Sequence, residues 1–272
     1  MCERRLMSRA RIFLKRISPV DSYMEVKMKE SMVICVFLFA QLLAAPVQRF
    51  EISIESGAAL SGYNDIRIPN NTGTLISFSE ELETDPAWFV RGRLTYNFNS
   101  KHSLSLLIAP LTLHASGRID REVVFEGESF APDVLLQGVF RFDSYRLSYT
   151  YTWFFRENVH FGLGITAKIR DAAISVADAS KTEEKTNVGF VPLIRFAGTW
   201  QFAERLALVI DGDALAAPQG RAEDIALALT ADMGRGVSLR GGYRVLEGGA
   251  DVDEVYTFTW VNYFFAGVAV RF

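Results

Sequence analysis

His114 and Ser116 stand two residues apart in "HAS", and Glu126 and Glu128 follow in the next polar stretch. On an extended strand this spacing puts the imidazole and the hydroxyl on one face. Acyl transfer needs such a set, because the imidazole must take the hydroxyl proton and a carboxylate must orient the imidazole. Asp211 and Asp213 in "VIDGDAL" form a second candidate, two carboxylates on one strand face near the outer rim, able to polarise a water. In "LEGGADVDEVY", Glu247, Asp251, Asp253 and Glu254 surround two glycines and supply the oxygen ligands Ca²⁺ prefers. Each set has a blander reading. A His and a Ser beside a loop are commonly solvated, carboxylates among arginines are commonly ion-paired, and the acidic spacing fits no established calcium loop. Zinc-ligand spacing, a Gly-rich phosphate cradle and heptads are all missing from the sequence, so no metal and no cofactor is expected.

The elements that would position these groups have a period of two. Beyond residue 48, apolar and polar residues alternate in ten segments, at about 49–63, 87–98, 102–116, 138–155, 159–176, 188–202, 205–215, 224–233, 237–245 and 256–272. Short breaks at Asn99–Lys101, Arg156–Val159, Ala203–Arg205 and Gly234–Gly236 alternate with longer polar ones near 64–86, 117–137, 177–187, 216–223 and 246–255. Short turns on one side, long loops on the other and an even strand count describe an all-β, transmembrane, antiparallel up-and-down β-barrel of about ten strands, with eight to twelve as the range.

Composition fits that reading. A net charge of -3 gives no electrostatic reason to expect nucleic acid as a partner. Hydrophobic residues make up 49% of the chain but are dispersed, and the apolar run from Met32 to Val47 is shorter than the ~20 residues of a membrane-spanning helix. Lys27 and Lys29 precede that run and Ala44-Ala45 close it, the three-part pattern of a secretory signal peptide. The expected organisation is therefore a basic extension or mis-called start over 1–27, a signal peptide over 28–45 and the barrel over 46–272. Cys2 and Cys35 would leave with the leader.

The two faces differ in kind. "FDSYRLSYTYTWFF" sets Tyr145, Leu147, Tyr149, Tyr151 and Trp153 against Ser144, Arg146, Ser148, Thr150 and Thr152, and the last strand carries aromatics at both ends of an aliphatic series. An aliphatic waist between aromatic belts is the profile of a bilayer. Ending on Phe272 after Phe264, Ala266, Val268 and Val270, the chain resembles Gram-negative outer-membrane β-barrel proteins. The resemblance implies that Phe272 is the signal read by the barrel-assembly machinery, and that the partners are this machinery and outer-membrane lipids. A count of ten strands is similar to the protease and adhesin barrels of that class. Its proteases use an aspartate pair with a His-Asp pair, and His114 is the lone histidine at the outer end here. The His-x-Ser of "HAS" looks like that of outer-membrane lipid deacylases and phospholipases, over three residues only.

Alternation turns a charged series inward: Glu51, Glu55, Arg91, Arg93, Arg146, Lys168, Arg170, Arg195, Asp211, Asp213, Asp224, Asp232, Arg240 and Arg244, with Arg271 at the end. Charges so placed need water or one another, and a ~10-stranded barrel has little room for water. The expectation is a non-enzymatic barrel whose lumen is held by salt bridges, structural or interacting through its loops, the long first loop foremost. A narrow selective pore with an arginine ladder (Arg91, Arg93, Arg146, Arg195, Arg244) and a lipid-modifying hydrolase built on His114 and Ser116 are the alternatives.

Overall fold

The computed structural model describes residues 49–272, all of it sheet and connections, so the expected leader lies outside the described residues. The staves are β1 (Phe50–Arg67), β2 (Ala87–Asn97), β3 (His102–Ala109 and Thr112–Arg118), β4 (Leu135–Phe155), β5 (Val159–Ala177), β6 (Thr182–Ala203), β7 (Leu206–Ala217), β8 (Gly220–Gly234), β9 (Val237–Val252) and β10 (Val255–Arg271). Each pairs antiparallel with its sequence neighbours, and β10 pairs back onto β1 from Glu51↔Arg271 to Arg67↔Tyr256. The sheet thus closes into a ten-stranded antiparallel barrel. Closure matters because a backbone edge left unpaired in hydrocarbon costs several kcal/mol per group.

β3 is broken at Pro110, which has no N–H to give the ladder. The neighbouring Leu111 bridges the break, donating its N–H to Asp143 Oδ1 at 3.2 Å and accepting from the Phe142 N–H at 2.8 Å.

Both ends of the described chain and the turns 98–101, 156–158, 204–205 and 235–236 share one rim, the periplasmic one by the usual rule of short inner turns. Of the five longer breaks expected on the other rim, two are long, 68–86 and 119–134. The other three shrink to 178–181, 218–219 and 253–254, because the strands run on through segments the sequence reads as polar loops. Outside lipid neither face has to be apolar, so the ladder continues without the alternation that would reveal it.

The outward face carries the large exposed apolar side chains, among them Val90, Leu106, Ile108, Leu147, Ile165, Ile194, Leu229 and Val268. Near the periplasmic rim it turns aromatic, with Phe50 stacked on Phe272 and Trp200 against Phe202. The first long connection does not stand free. It folds down into the outer mouth, where Ile76, Phe78 and Leu82 are buried with Ile119, Val123, Phe125 and Phe130 of the second. Residues Ile76–Ser77 pair with β1 and Glu83–Thr84 with β3, so this connection also continues the wall above the short β2. Gly138 on β4 admits it: a Cβ there would lie 2.7 Å from the Phe78 ring.

Candidate functional site: the lumen and the outer mouth

Below the apolar cap, the inward positions of seven staves meet in one layer of charge. Asp224 on β8 accepts from Arg91 Nη2 at 3.0 Å, Arg146 Nη2 at 2.6 Å and Arg244 Nη1 at 2.5 Å. Glu55 on β1 faces Arg244 at 3.1 Å, Arg240 at 3.3 Å and Arg91 at 4.0 Å. Asp213 takes Arg146 at 2.9 Å and Arg195 at 3.8 Å. Asp211 takes Arg93 at 3.2 Å and also Arg195. Six guanidinium groups thus share four carboxylates, every carboxylate touching at least two of them. Arginine suits such sharing, because its planar fork reaches two acceptors at once and stays charged when buried.

Hydroxyls complete the layer. Thr166 donates to Asp213 Oδ1 at 2.6 Å and lies 2.7 Å from Ser148 Oγ, and Ser144 Oγ accepts from Arg146 Nε at 3.0 Å. The in-register pairs Arg195↔Asp213 and Asp213↔Asp224 bring the neighbouring staves β6, β7 and β8 to the same level. The aspartate pair of β7 therefore sits inside this layer and not at the outer rim, ion-paired with Arg93, Arg146 and Arg195.

Four of the inward charges stand apart from the layer. Glu51 meets Arg271 at 2.6 Å at the periplasmic rim. Asp232 is exposed and accepts from the Gly234 N–H, closing the β8–β9 turn. Arg170, nearer the outer mouth, hydrogen-bonds to Asn187 instead of a carboxylate. Lys168 is 2% exposed, with its ammonium 4.6 Å from the centre of the Phe142 ring.

The hydrolase set is not assembled. His114 and Ser116 share a face, but that face is the outside of the barrel, since Leu113 and Ala115 take the buried positions between them. Glu126 pairs with Lys185 at 3.1 Å and Glu128 with Lys181 at 2.8 Å, so the acids brace the cap. Strand parity decides this, because the residue that follows or precedes a core-facing leucine must face out. The acidic cluster near the last outer turn is likewise dispersed. Glu247 binds Arg221 and accepts from Tyr63 Oη at 2.6 Å on the barrel's outer surface, while Asp251 accepts from Asn70. Among the described residues no group of acids, histidines or cysteines is arranged to hold a metal.

The cap is hard to see in the sequence. Its apolar residues, "LISF" and "VVF", lie within stretches of otherwise loop-like composition, and those two short runs are the available signal. At the outer mouth Arg121 clamps Glu81 and also donates to the Leu75 carbonyl at 2.9 Å. That clamp, with the Ser77 N–H also donating to Glu81, holds its carboxyl below the ordinary glutamate value of 4.5.

No protein-family model matches the chain, and no curated protein matches it. Solved structures do. The outer membrane protease OmpT from Escherichia coli aligns with a TM-score of 0.53 at 10% identity, over 85% of this chain and 100% of that one. The attachment invasion locus protein Ail of Yersinia pestis aligns with a TM-score of 0.37 at 12% identity, over 82% of this chain and 99% of its own. At such identities likeness speaks for the fold alone. With closure, alternation and the apolar exterior, the OmpT alignment establishes that the chain has the ten-stranded fold of an outer-membrane β-barrel protein.

Proposed function

We propose that the protein is a closed, non-enzymatic outer-membrane barrel that acts as a structural element or through its outer rim. The observation that carries this reading is the filling of the lumen at two levels: the ion-paired layer around Asp224 and the apolar cap around Phe78. A barrel of ~10 strands has little space beyond its side chains, and here those side chains are paired or packed. With the first long connection folded into the mouth, the surface left for a partner is the rim itself. β6 rises above its neighbour there, meeting β7 only from Ile194 to Ala203, which leaves the edge of residues 182–193 without a partner strand on that side. An edge of this kind accepts extended segments of other chains. Export by the leader at 28–45 and insertion by the barrel-assembly machinery, with Phe272 as its signal, belong to the same proposal.

Planar-bilayer recording on the purified barrel tests it. The expected trace is flat, and discrete conductance steps from the wild-type protein would favour the narrow-pore reading instead. Shortening the β5–β6 hairpin at residues 178–190 should leave folding intact while weakening any partner binding or envelope phenotype; an unaltered phenotype counts against a role for the rim.

A further inference from the structure

The charged layer is out of balance. Arg91, Arg93, Arg146, Arg195, Arg240 and Arg244, six cations, share the four carboxylates of Glu55, Asp211, Asp213 and Asp224, and the buried Lys168 outside the layer adds no anion. The Nε atoms of Arg91, Arg195, Arg240 and Arg244 are buried and make no hydrogen bond among the described residues. Uncompensated charge and unmade hydrogen bonds are both costly in a low-dielectric interior. A compensating anion would relieve both.

The room is there. A small pocket opens within the layer, lined by Ser53, Glu55, Arg91, Arg93 and Leu107. Arg91 is 4% exposed and contributes one of the unbonded Nε atoms. Glu55 is the one anionic wall, and its charge is already shared among three arginines. On the periplasmic side the lumen is lined by the small hydroxyl residues Ser105, Ser148, Thr150 and Ser238, which leave a polar approach. The cap closes the opposite side.

We propose that this pocket is a binding site for a small inorganic anion of halide size, entered from the periplasmic end and held by Arg91, Arg93 and the Ser53 hydroxyl. The anion completes the layer as a fifth negative charge. It goes beyond the closed-barrel reading, since a barrel can be closed with or without it.

The test uses the folded barrel in detergent at constant ionic strength, with chloride exchanged for gluconate, which is too large for the pocket. Returning chloride or bromide should raise the thermal midpoint saturably, and Arg93→Gln should weaken the half-saturating concentration at least tenfold. Because Arg93→Gln also disturbs Asp211, Ser53→Ala serves as the milder variant and should shift the same curve in the same direction. Bromide-soaked crystals should show an anomalous peak between Arg91 and Arg93. A midpoint that follows ionic strength alone, equal for sulfate and chloride, overturns the site, as does a bromide peak absent from this pocket. A halide response untouched by both variants overturns it too. Conductance is read separately, so a failed anion site and a failed closed barrel give different results.

Discussion

Two levels of one lumen, the layer around Asp224 and the cap around Phe78, fill it by opposite chemistry. In the layer each contact is directional, and a carboxylate loses its function if a guanidinium moves by a bond length. In the cap the contacts are apolar and tolerate any shape of similar volume. The layer is built on staves whose register is locked by closure, from Arg195↔Asp213 to Glu51↔Arg271. The cap is built mostly on two connections, where a register could not be relied on. Directional chemistry has been placed on the staves and adaptable chemistry on the connections.

Removing one carboxylate from the layer should give the largest effect. Asp224→Ala strands Arg91, Arg146 and Arg244 without their shared acceptor, and breaking a buried ion pair from one side costs about 3–5 kcal/mol. Urea unfolding in detergent should show a loss at the top of that range. Adding Arg244→Met should recover part of it, since the double variant removes one of the stranded charges. Simple additivity of the two would mean that the layer is not a coupled network.

Truncating the cap should cost less and leave the barrel closed. Phe78→Ala opens a cavity, for which about 3 kcal/mol is expected, and because the layer below remains, bilayer recordings should stay silent. Conductance steps in this variant would show that the cap alone seals the lumen.

The same contrast governs what the sequence discloses. Lipid on one side and charge on the other force Tyr145, Leu147 and Tyr149 to alternate with Ser144, Arg146 and Ser148, so strands, turns and closure are all legible. Which carboxylate meets which arginine depends on how far each stave slides along the next, and no single stave encodes that. Beyond the membrane the constraint disappears, so the outer ends of β6, β8 and β9 read as loops. The cap is opaque for a further reason. Ile76 and Phe78 on one side of the mouth and Val123 and Phe125 on the other become a core only when two distant connections meet.

Overfilling the seam between cap and wall should give a smaller loss. Gly138→Ala would place a methyl 2.7 Å from the Phe78 ring, and overpacking of this sort costs about 1–3 kcal/mol. Combining it with Phe78→Leu, which withdraws the ring, should restore some of the stability lost. A Gly138→Ala barrel as stable as wild type, with Phe78 still protected, would show that the cap shifts freely on the wall.

The smallest effect belongs to the clamp between Arg121 and Glu81. Both side chains are partly solvated, with 43% and 30% exposed, so the pair is worth under about 1 kcal/mol. Its value lies in pH dependence. The folded-state pKa of Glu81 is depressed, chiefly by the Arg121 hydrogen bond. The stabilisation is therefore fully present above the ordinary carboxylate value of 4.5 and is lost as pH falls through the lower folded value. Amide protection of Ser77 and Phe78, corrected for intrinsic exchange, should fall in that acid window while protection in the staves stays constant. Glu81→Gln should bring the lower protection to neutral pH and abolish the step. A cap whose protection follows that of the staves at every pH would mean that the two levels open as one unit, and the division between charged layer and cap would not extend to their stability.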